Sequence, residues 1–163
     1  MSGLKFIGTI SLGLLTGVSY NLSTVTLPSL ALLPSAAHAS RTLTSIQEKS
    51  TRQILTLASI SSISLVTAFT FASPRNRHPY LLWTALVGLI GGQGVEYWYN
   101  GFSRFPKPRY GNGETGYVDV DAEVNGEKVE TEMARERRVQ IGRTILTGIG
   151  FAMSVVGIWG DGA

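Results

Sequence analysis

Residues 80–99 read YLLWTALVGLIGGQGVEYWY, and the interpretation of this stretch decides the fold. It is apolar on every side, and Glu96 is its only carboxylate. A helix of this length reaches about 30 Å, the hydrocarbon thickness of a bilayer. Tyr97, Trp98 and Tyr99 then form an aromatic belt where the lipid ends. Arg75, Arg77 and His78 mark the other end, and Pro79 falls in the first turn, where a missing N–H costs nothing. Glycine weakens a helix in water, but in lipid Gly88-x-x-x-Gly92 makes a flat face that another helix approaches closely. The competing reading, a buried core helix of a water-soluble protein, is disfavoured because similar runs recur in one short chain.

Working outward, 4–22 carries only Lys5 as a charge and repeats the small-residue pattern at Gly13 and Gly17, which makes it a first transmembrane helix. The segment LPSLALLP at 27–34 is too apolar for an exposed loop and too rich in proline for a straight helix. It lies at the interface or extends the first span through a kink. A rival reading makes 1–39 a secretory leader, since Ala37-His38-Ala39 precedes Ser40. The best apolar core ends near Val18, too far from that site for a leader of roughly 15 to 30 residues, so 1–39 is expected to stay attached. Ser35 is a candidate N-cap, followed by an amphipathic turn or two and then a second uncharged run at 54–72. The hydroxyls of that run can bond to helical carbonyls or to a neighbouring helix.

From 100 to 138 the character changes. Eight of the eleven acidic residues fall between Asn100 and Arg143, so one polar, water-facing loop interrupts a membrane-like sequence. Val118, Val120 and Val124 alternate with acids before the turn pair Asn125-Gly126, and a short hairpin competes with disorder. Residues 133–143 read as a charged helical lead-in, and 139–163 holds the fourth span, with Arg143 snorkelling to the interface. The fold class is therefore an all-α membrane protein. A bundle of about four transmembrane helices (4–22, 54–72, 80–99 and one within 139–163) carries one polar loop before the last helix.

Charged residues make up 15 % of the chain against 44 % hydrophobic, and there is no cysteine, which excludes disulfides and thiolate chemistry. The net charge of +3 does not point to nucleic acid, because the basic residues flank apolar runs as topology determinants do. Lys5, Arg75 and Arg77 lie on one side of the bilayer and the other basic residues on the opposite, cytosolic side. No cofactor motif, metal-ligand set or nucleophile–base constellation is found, so no enzyme is expected. Asp121, Glu123, Asn125, Gly126 and Glu132 imitate a calcium loop, but Glu123 and Lys128 depart from its pattern. Glu96 lies near the aromatic belt, where it is expected to reach interfacial water. Tyr117 and Val120, an aromatic and an aliphatic residue three positions apart among acids, form a candidate peptide for strand addition to a partner's sheet edge.

Arg77-His78-Pro79-Tyr80-Leu81-Leu82, and the ending VGIWGDG at 156–162, resemble the fungal autophagy-related protein 33 family. The polar insert at 101–132 matches that family poorly. The resemblance implies a multi-span protein of the mitochondrial outer membrane that acts in mitophagy by protein interaction, without catalysis. The expected partners are the lipid bilayer, autophagy machinery meeting the 100–138 loop, and a further copy in a helix-mediated oligomer. The alternative is a small membrane carrier or channel subunit, with Glu96 and the hydroxyl-rich second span lining a path.

Overall fold

The computed structural model describes residues 2–72, 77–101 and 126–160, and apart from short turns these are helical, with no strand among them. In chain order the elements are α1 (Ser2–Asn21), a π-turn (Leu22–Thr26), α2 (Leu27–Leu30), α3 (Ala36–Thr70), α4 (Tyr80–Leu89), a second π-turn (Ile90–Gly94), α5 (Val95–Asn100) and α6 (Gly126–Gly160). Both π-turns continue the helices they join, so the described residues make four rods. The first rod packs on α3 and α6, as does the rod that starts with α4, which places the first and third rods at opposite corners of an up-and-down bundle.

Three helical stretches, Gly3–Leu30, Ala36–Thr70 and Gly126–Gly160, are long and apolar enough to cross a membrane, and only 22–39 % of each apolar window is buried inside the protein. The rest faces outward. Phe6, Ile10, Ile63, Leu86, Ile145 and Val156 are exposed, while Thr9, Ser61, Thr84, Thr147 and Ser154 are buried. Apolar outside and polar inside is the arrangement of a bundle whose solvent is lipid. The third rod has about the same reach as the bilayer core, though its π-turn divides it.

The hydroxyls of the interior join the rods. Ser61 donates to the Gly8 carbonyl at 2.9 Å, Ser62 to the Ala85 carbonyl at 3.1 Å and Thr16 to Thr147 at 3.0 Å. The Thr9 and Ser154 hydroxyls also meet. Apolar clusters fill the space between them: Leu65, Leu81 and Ala85 near one end, then Leu12, Leu15, Ile54 and Ala58, then Leu27, Leu30 and Leu43.

The first rod does extend beyond its apolar core, through a π-turn ahead of Pro28. That ring lacks an N–H and would strike the carbonyl four residues back, and the wider turn makes room for it. Ser35 caps α3, its hydroxyl accepting the His38 N–H at 3.3 Å. The residues that follow make far more than a turn or two, because α3 runs unbroken for 35 residues. Likewise α6 starts at Gly126, so 126–132 is helix where the sequence suggests loop or hairpin, and the charged lead-in expected from 133 continues it. Good helix formers with charges at i, i+3 and i+4 spacing favour this, and Met133 packs against the Leu27–Leu30–Leu43 cluster. The helix also replaces the second half of the calcium-like loop, from Gly126 to Glu132.

The glycines divide. A Cβ on Gly92 would collide with that of Ala58, and one on Gly88 would lie 3.4 Å from Leu12, so this pair lets the third rod come close to its neighbours. Gly13 makes room for the Phe151 ring, but nothing lies within 4 Å of a Cβ built on Gly17. Gly13 and Gly17 therefore do not form one continuous packing face within the bundle.

Candidate functional site

Where the third rod meets α6, charged and amide side chains are stacked in the interior. Arg143 is 0 % exposed and Glu96 1 %, and Arg143 Nη2 donates to Glu96 Oε2 at 2.7 Å. Arg143 Nη1 donates to Gln140 Oε1 at 2.9 Å, and Gln140 Nε2 to Glu136 Oε1 at 3.0 Å. Gln47 of α3 donates to the other oxygen of Glu136 at 3.2 Å, and Asn100 donates to Glu96 Oε1 at 2.9 Å. The layer thus ties α3, α5 and α6 together. Taking two ions from water is costly, and the short charge-assisted bond with its amide neighbours offsets that cost.

The remaining bond of Arg143 explains the second π-turn. In an α-helix the Val95 N–H would bond the Gly91 carbonyl, but here it reaches one residue further back, to Ile90. The spared Gly91 carbonyl accepts from Arg143 Nε at 2.9 Å. The first π-turn repeats the device. Leu27 N–H bonds Leu22 instead of Ser23, and the spared Ser23 carbonyl accepts from Arg137 Nε at 3.2 Å. Two arginines of α6 thus each grip a carbonyl that a π-turn has released.

This arrangement corrects two sequence expectations. Glu96 does not reach interfacial water, and Arg143 does not snorkel out, because each is buried against the other. Sequence reasoning treated them separately and passed over Gln47, Glu136, Arg137 and Gln140. A signal was present: Glu96 stands at the C-terminal end of its apolar run and Arg143 at the N-terminal end of its own, which antiparallel rods bring to one depth.

The 77–82 stretch lies at the opposite end. Arg77 donates from Nε to the Ala72 carbonyl at 3.1 Å and from Nη2 to the Thr70 carbonyl at 3.2 Å, closing the C-terminal end of α3. Pro79 offers its carbonyl to Leu82 and Trp83, and Leu81 is fully buried. The Tyr80 ring lies 6.1 Å from the His78 ring, takes Lys5 Nζ 5.9 Å from its centroid, and packs on Gly157. One stretch therefore turns the chain and touches all four rods. Tyr117 and Val120 lie outside the described residues, as do Arg75, Asp121, Glu123 and Asn125. Among the described residues no cluster of ligating side chains is found.

The fold and its buried charged layer define an all-α, multi-span membrane bundle. Comparison with known proteins gives the family. The model of autophagy-related protein 33 matches residues 2–97. The protein called Autophagy-related protein 33 from Gibberella zeae is 39 % identical over 183 aligned positions, which cover 100 % of this chain and 92 % of the relative. The chain belongs to the autophagy-related protein 33 family, and its role lies in autophagy. No solved structure matches it.

Proposed function

We propose that the protein resides in the mitochondrial outer membrane and promotes mitophagy by presenting a water-facing surface to autophagy machinery, without catalysis. The observation that carries this reading is the match along the whole chain to a relative named for autophagy. The bundle supports it by what its polar groups are occupied with. Glu96 is neutralised by Arg143, and Ser61 and Ser62 of α3 are spent on bonds to neighbouring helices, so the groups a carrier or channel reading needs already have partners.

The surface extends well past the apolar runs. Helices of 35 residues reach about 50 Å, roughly 20 Å more than a bilayer core. The excess includes 36–52 of α3 and 126–142 of α6, which share the side where the positive-inside bias places the cytosol. The candidate contact is Tyr117 with Val120, in the segment that leads into α6. Exchanging both for alanine removes two apolar anchors, each worth about 1.5 to 3 kcal/mol if buried at a partner, enough to lose a micromolar contact. The test is mitophagic flux, with binding of the autophagy modifier, for Tyr117→Ala/Val120→Ala at matched abundance. A loss of both supports the reading, and unchanged values move the contact elsewhere. Imaging beside mitochondrial and endoplasmic-reticulum markers tests the location.

A further inference from the structure

The outward face of α3 carries a groove of about 530 Å³ bordered by the third rod, and its lining changes character along its length. Arg52 stands at the upper end, Ser59 and Gln93 in the middle, and Leu55, Ile60 and Ile63 line the apolar parts. Arg52 immediately precedes the uncharged run of α3, which puts its guanidinium at headgroup depth. No hydrogen bond or ion pair engages that guanidinium among the described residues. Lys49, three positions earlier and on the same side of the helix, is exposed as well. Ile63 lies eleven positions beyond Arg52 along the helix, about 16 Å, close to half of a 30 Å hydrocarbon core. Midway, Gln93 Nε2 donates to the Ser59 hydroxyl at 2.9 Å, while Gln93 Oε1 is buried without a partner.

We propose that this groove is a binding site for one anionic glycerophospholipid. The headgroup phosphate meets Arg52, with Lys49 holding the additional negative charge of the headgroup. One acyl chain lies along Leu55, Ile60 and Ile63 and ends near the bilayer midplane. The Ser59 hydroxyl donates as readily as it accepts, so either end of the Gln93 carboxamide can meet it inside the bundle. A helix from a second copy would fill the apolar half but would leave the two cations unmatched.

The full chain, reconstituted in phosphatidylcholine nanodiscs containing a minority of phosphatidylglycerol and then released for native mass spectrometry, reads lipid and copy number together. The expected result is one phosphatidylglycerol retained per chain in preference to phosphatidylcholine. Arg52→Gln is expected to lower that preference about fivefold, the effect of one interfacial cation, and Lys49→Gln to lower it further. Both residues are exposed, so neither change disturbs the interior. Ser59→Phe fills the groove and is expected to abolish retention with helical content preserved. Equal retention of the two lipids by the parent, an unchanged preference in Arg52→Gln, or a lipid-free dimer on this face would each overturn the site.

Discussion

Arg143 and Glu96 show why a charge inside a membrane bundle is a structural commitment. Removing one leaves the other buried and uncompensated, so Glu96→Ala is expected to cost about 3–5 kcal/mol. Replacing both by apolar residues of similar volume, as in Glu96→Leu/Arg143→Met, should recover most of that loss, because no bare charge remains. Thermal unfolding in detergent measures both variants. A double variant no better than the single would mean that the bond to the Gly91 carbonyl matters more than the pair. The two residues touch, so their single effects should not add.

Among the elements, the π-turns govern how α6 seats. Each frees a carbonyl, and each carbonyl holds an arginine of α6, so the wider turns join one rod to the next. The glycines give a contrast at the same scale. Gly92→Leu is expected to destabilise by at least about 1–3 kcal/mol, since the close contact with Ala58 leaves no volume for a side chain. Gly17→Leu faces open space and should leave bundle stability within about 0.5 kcal/mol of the parent. Melting temperatures in one detergent compare the two. At the other end, Arg77→Ala removes two bonds to terminal carbonyls of α3 and should cost about 1 kcal/mol, read in the same assay.

For the whole molecule, the long helices predict how far the protein stands out of the lipid. The chain has no cysteine, so single cysteines can be introduced and read without background. Cysteine at Lys49 or Arg138 should react with a membrane-impermeant maleimide applied to intact mitochondria. Cysteine at Ile63 or Ile149 should be protected until detergent is added. Labelling at Lys49 and Arg138 that requires membrane rupture would invert the proposed topology. Alkaline carbonate extraction should leave the full chain in the pellet.

The sequence by itself determined the number and order of the helical rods, three of them long and apolar enough to cross a membrane, because lipid imposes a length and a polarity that a linear stretch of residues either has or lacks. It also determined the N-cap at Ser35 and the start of the third rod at Pro79, since capping and proline chemistry act within a few residues. Only the tertiary structure decided that 36–53 and 126–132 are helix, where packing around Leu27, Leu30 and Leu43 supports segments whose local pattern reads as short turns or hairpin. The same holds for Glu96 and Arg143, which stand 47 positions apart. Periodicity along one helix says which residues share a face, but not which face of another helix will meet it. The π-turns complete the point, because a released carbonyl has no signature of its own until an arginine from a different rod arrives to use it.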